Sequence, residues 1–178
     1  MAMETFHQNC TQVLATAHLC LERRLQMPAL ILIYTLIDTF AWVVSDKNEK
    51  STRKRFENWV GNWMLAHRPL PCSATELYAA RCAVLHTLSS QTALTQSGEA
   101  RQVAHAWGAA DVAQLQASIN ALGRTDVVAL SIEELFDAVG DAMERVMTAS
   151  QTDRLLYERL ELAAVTNFSG AESMSNGD

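Results

Sequence analysis

The stretch PALILIYTLIDTFAWVV, residues 28 to 44, carries a single charged residue, Asp38, in an otherwise apolar run. A segment this apolar has to leave water, either in a bilayer or in a protein core. It falls short of the roughly 20 apolar residues a spanning helix needs, and a carboxylate near its middle is costly in hydrocarbon. We therefore read it as the central buried helix of a bundle. Pro28 supports this reading, because proline is tolerated in the first turn of a helix. The rest of the fold must cover this helix and give Asp38 a partner, since an unpaired buried carboxylate is costly.

The flanking sequence supplies that cover. Phe6, Cys10, Val13, Ala17 and Cys20 recur at steps of three and four and predict one apolar helical face over residues 3 to 26. Phe56, Trp59, Val60, Trp63 and Met64 predict an amphipathic helix over residues 52 to 66, with Gly61 allowing close packing. Trp42, Trp59 and Trp63 fall at helical core positions. After the proline-broken HRPLPC, the sequence SATE places Ser73 as N-cap three residues before Glu76, a capping box that opens the next helix. The polar run SSQTALTQSGE ends it. RQVAHAW and TDVVAL then alternate like short strands on either side of the helical AADVAQLQASINALG. SIEE, residues 131 to 134, is a second capping box, opening a helix to about Thr148, and TDRLLYERLELAAV gives the last helix. The expected architecture is mainly α, a helical bundle with a small two-stranded β element in the C-terminal half. Residues 1–166 are expected to form a single domain, and the small, polar residues 167–178 a disordered tail.

Composition narrows the setting. Cys10, Cys20, Cys72 and Cys82 include no CxxC pair, and no basic and apolar leader precedes them, so a disulfide framework is not expected and a reducing cytoplasm is. Cys10 and Cys20 read as core filler. A net charge of −6 argues against a general polyanion-coating protein, so any nucleic-acid contact must be local.

Two residues interrupt the apolar helix YAARCAVLH with groups able to handle phosphate and protons, Arg81 and His86. Five positions apart, they are separated by about 140° on a straight helix. Cooperation requires the reach of the Arg side chain, a distorted helix end or a second copy of the chain. The long apolar helix with its embedded Asp38, the amphipathic helix after it and the capped helix ending RCAVLH together resemble the HEPN superfamily over residues 28 to 90. That resemblance implies a HEPN-like helical bundle in which Arg81 and His86 are the motif residues. It further implies a metal-independent endoribonuclease working as a homodimer, acting as a bacterial toxin held by an antitoxin or as a phage-defence effector. The position after the motif arginine is commonly Asn or Asp in active members and is Cys82 here, which keeps open a non-catalytic HEPN-like module that binds a protein partner or RNA.

The residue chemistry fits the first reading. RNA carries its own nucleophile, the 2'-hydroxyl, so a protein need supply only a base, an acid and a cation over the developing phosphorane charge. Histidine suits both proton roles and arginine the charge. One motif offers one histidine, so two copies are needed to supply both proton carriers. Asp38 is expected to pair with Arg81, or next with His86. Arg53, Lys54 and Arg55 crowd a helix start, where the macrodipole prefers acids. They form a candidate phosphate-binding set, against the simpler reading of a solvated basic face paired with Glu49 or Glu57. His7 with Cys10 and His18 with Cys20 lack a partner motif to complete a metal site, and no cofactor motif is present. Arg101 and His105, in the first strand, read as surface or packing residues.

Overall fold

The computed structural model describes residues 2–166, and the expected tail lies outside the described residues. The described chain is mainly helical, with one two-stranded parallel sheet. Helix α1 (Ala2–Glu22) turns sharply through Arg24, at φ 59°, into α2 (Gln26–Val44). Phe6, Cys10 and Ala17 of α1 are buried, whereas Cys20 is only partly so. Their periodicity is that of a helix laid on a helix, and the rings of Phe6 and Phe40 meet at 5.9 Å.

Helix α2 packs against α1, α3 (Thr52–Trp59), α4 (Ala74–Thr87), α7 (Ile132–Ala149) and α8 (Arg154–Thr166). Leu30, Ile33, Tyr34, Leu36, Ile37, Phe40 and Val43 are buried in the resulting core. The expectation of a wholly buried helix needs correcting. Among the described residues α2 is the one helix long and apolar enough to cross a membrane, yet half of it is covered by protein. Its uncovered stripe runs Ile31, Thr35, Asp38 and Trp42, residues that helical steps of three and four place on one face. Trp42 is accordingly 53% exposed, not a core residue, while Trp59 is buried and Trp63 half-buried.

Helix α3 begins at the Ser51 cap, whose side chain accepts from the Lys54 backbone N–H. It continues into a widened π turn, Val60–Leu65, in which the Ala66 N–H reaches the Gly61 carbonyl at 3.1 Å. Val60 and Met64, four positions apart, are both buried in this turn. Gly61 does not serve close packing, because a Cβ built there meets nothing within 4 Å.

The capping box of α4 closes in both directions. The Ser73 N–H donates to Glu76 Oε2 at 2.7 Å and the Glu76 N–H donates to Ser73 Oγ at 3.2 Å. The helix stops at Leu88, which takes the left-handed conformation (φ 49°, ψ 34°), and the Ser89 N–H returns to the Ala83 carbonyl. The polar run after it contains a short helical turn, α5 (Ala93–Gln96).

Strands β1 (Gln102–Ala106) and β2 (Val127–Ser131) pair in parallel, with Gln102 opposite Val127 and Ala106 opposite Ser131. The connection contains α6 (Val112–Ala121), as a parallel pair requires. Asp111 caps α6 through the Ala113 N–H at 2.8 Å, and Gly123, at φ 70°, ends the segment. The buried run Val127–Leu130 is the unbroken apolar pattern of a strand covered on both faces. Ser131 ends β2 and caps α7 by accepting from the Glu134 N–H.

Candidate functional site

The site lies where the uncovered stripe of α2 meets α4. From α4, Tyr78, Arg81, Cys82 and Leu85 are partly exposed, and His86 is exposed in the last turn. Arg81 reaches across to α2 and places both Nε, at 2.7 Å, and Nη2, at 2.6 Å, on Asp38 Oδ2. The remaining nitrogen, Nη1, is 3.0 Å from His86 Nε2 and 3.9 Å from Cys82 Sγ. The side chains of Arg81 and Asp38 are 14% and 23% exposed, so the pair is sheltered and still reachable. The length of the arginine bridges the helical angle between positions 81 and 86.

A guanidinium has no acceptor atom, so in the Arg81–His86 contact the imidazole accepts at Nε2 and its proton sits on Nδ1. Burial opposes the Arg81 charge, but the hydrogen bond and charge of Asp38 outweigh it and hold the guanidinium above its ordinary pKa. Arg81 is therefore a permanent cation fixed on one side by a carboxylate and carrying a basic ring nitrogen on the other. The ring of Tyr78 lies beneath, 6.0 Å from Cζ to centroid, at the outer limit of a cation–π contact. Burial, and next the neighbouring Cys82, raise the Tyr78 pKa, so the phenol stays protonated as a neutral shelf.

The basic cluster is not part of this arrangement as a unit. Arg53 spends its fork on Glu57 at 2.8 Å and on Glu99 at 2.5 Å, close to the simpler reading of a paired basic face. Lys54 is exposed. Arg55 lines a small cavity with Trp42, Asp46 and Arg159, one turn of α2 beyond Asp38. Among the described residues no three His, Cys, Asp or Glu side chains gather as a metal-ligand set.

Arg101 is a structural clamp. It holds Glu76, the buried member of the capping box, through Oε1 and, at 3.2 Å, Oε2. Burial alone would raise the Glu76 pKa, and the Arg101 hydrogen bond reverses this and holds the carboxyl below its ordinary value. His105 packs inward, with Nε2 3.3 Å from the hydroxyl of the fully buried Tyr34.

Sequence reasoning missed Tyr78, although its position three residues before Arg81 puts both on one helical face. It also missed Tyr34 as the partner of His105, for which no local signal exists across 71 residues. Compared with protein-family models, curated proteins and solved structures, the chain matches none of them.

Proposed function

We propose that this protein is a metal-independent endoribonuclease of HEPN type, working as a homodimer in which Arg81 and His86 of both copies face one RNA strand. One observation carries the reading: the 3.0 Å contact between Arg81 Nη1 and His86 Nε2 on a reachable face, with Arg81 anchored by Asp38. An incoming phosphodiester competes for Nη1. Once Nη1 turns to a phosphate oxygen, Nε2 is released beside it as a base for the 2'-hydroxyl. The anionic phosphorane then grows next to a fixed cation, and a protonated His86 from the second copy donates to the leaving 5'-oxygen. The stripe Ile31, Thr35 and Trp42 on α2, continued by Tyr78 and Leu85 on α4, supports a second copy docking around the pair. The setting proposed with this activity is a cytoplasmic toxin held by an antitoxin, or a phage-defence effector.

The test is cleavage of a mixed-sequence RNA by purified protein in excess EDTA. Wild type should cut RNA and leave DNA intact. Arg81→Ala and His86→Ala should each lower the rate at least about a hundredfold, given that one general acid–base or charge-stabilising group contributes 10²–10⁴. Helix content and molar mass should not change. Rates that are equal in all three proteins would reject the reading.

One observation favours a second reading, a non-catalytic module that binds a protein partner or RNA through this face. Asp38, His86 and Cys82 already occupy every nitrogen of the Arg81 fork, as a structural arginine would have it. RNA or protein binding without cleavage, weakened by Arg81→Ala, is its signature.

A further inference from the structure

Behind α4, on the side away from Arg81 and His86, lies a cavity of about 570 Å³ walled by the start of α2, the last turns of α4 and β1. Ala83 and Val84 of α4 and Ala104 of β1 form part of its wall, and His105 lies on it. Three of the chain's exposed large apolar side chains, Met27, Leu88 and Trp107, also line it. No Asp, Glu, Lys or Arg does. A volume in the range of small-molecule sites, apolar walls and a few polar groups are what such sites share.

Gln26, Ser89, Ser90, Thr95 and Gln102 add uncharged polar groups to the wall, and His105 is its one histidine. A phenol is a better donor than acceptor and imidazole nitrogen a good acceptor, so the Tyr34 hydroxyl donates to Nε2 and the proton of the neutral ring sits on Nδ1. That N–H has no hydrogen-bond partner among the described residues. The atom is not sealed from solvent, so the N–H can donate to water or to a ligand acceptor that replaces it. An ion would enter without a counter-charge, and a purely apolar molecule would leave the N–H unmet.

We propose that this cavity binds a small, uncharged, mostly apolar molecule with one hydrogen-bond acceptor, a carbonyl or ether oxygen, which His105 Nδ1 recognises. The site is separate from the Arg81–His86 centre, so its occupancy stands or falls independently of the ribonuclease reading.

The experiment titrates the full chain with 6-propionyl-2-dimethylaminonaphthalene, an uncharged apolar fluorophore with one carbonyl whose emission shifts to the blue in apolar surroundings. Saturable one-to-one binding is expected, together with at least tenfold weaker binding of the anionic 1-anilinonaphthalene-8-sulfonate. Ala104→Phe fills the cavity and should weaken the carbonyl probe at least tenfold. Leu88→Asp puts a charge on the exposed rim at a left-handed position that aspartate tolerates better than leucine. It should weaken the probe severalfold and still fold, which keeps the test decisive if Ala104→Phe does not. His105→Phe preserves an apolar wall without the donor and should weaken binding about threefold to tenfold. No saturable binding, tighter binding of the anion, or unchanged affinity in a folded Ala104→Phe or Leu88→Asp would overturn the site. Unchanged affinity in His105→Phe would overturn the assigned recognition. A probe expelled as protein concentration rises, with molar mass doubling in step, would give the rim to a second copy and also overturn the proposal.

Discussion

Asp38 is the residue on which the candidate site turns, because it fixes the cation that everything else uses. Removing it leaves Arg81 sheltered without its counter-ion. Breaking a fully buried pair by truncating one partner costs roughly 3–5 kcal/mol, and the partial exposure here reduces this to about 2 kcal/mol for Asp38→Ala. Urea unfolding would read that loss directly. As a positioning residue, Asp38 should also move the chemistry. Asp38→Asn is expected to lower kcat more than it raises KM, because Arg81 is then free to turn away from the transition-state phosphate, and Asp38→Glu should restore part of the rate. An Asp38→Asn protein with wild-type kcat would make the pair purely structural. The Asp38–Arg81 partnership was legible in sequence because an acid within PALILIYTLIDTFAWVV has few places to go. The contact of Arg81 with His86 was not. It depends on how a long side chain crosses an angle that helical geometry alone keeps open.

At the scale of elements, caps and periodicities were the readable signals. SATE announces α4, and both of its reciprocal bonds are present. Ser73→Ala should destabilise the fold by about 1 kcal/mol, the usual effect of losing an N-cap, seen as a lower denaturation midpoint. Glu76→Ala should do more, since it also strands Arg101. The two strands and the helix between them were legible from the β-branched content of RQVAHAW and TDVVAL, although the expected alternation is not what burial shows, since β2 is buried from Val127 to Leu130. Their parallel pairing follows from the intervening helix. Other features were not legible. The π turn Val60–Leu65 keeps the apolar periodicity of an ordinary helix in sequence, so nothing in the spacing announces it. Trp42 fits the core pattern by residue type, but the uncovered stripe of α2 claims its position. Arg53, Lys54 and Arg55 look like one cluster in sequence, and the acids Glu57 and Glu99 divide it.

For the molecule as a whole, acid sensitivity and the proposed RNA cleavage are the two properties to measure. Burial lowers the His105 pKa from 6.5 to about 4. The unfolded chain therefore takes up a proton between those values that the folded chain refuses. The contribution is fully present above about 6.5 and is lost as pH falls toward 4. At about 1.4 kcal/mol per unit, reduced for access through the cavity, the loss is roughly 1 to 2 kcal/mol between pH 7 and pH 5. His105→Phe should remove that part of the slope from unfolding free energies measured across the range. The central claim, that Arg81 and His86 serve a substrate that attacks itself, is tested most directly with one oligoribonucleotide cut in excess EDTA and its twin bearing a single 2'-deoxy sugar on the 5' side of the scissile phosphate. The first should yield a 2',3'-cyclic phosphate and a free 5'-hydroxyl while the second survives at that bond. Cleavage of the deoxy-substituted bond at the same rate would contradict the claim.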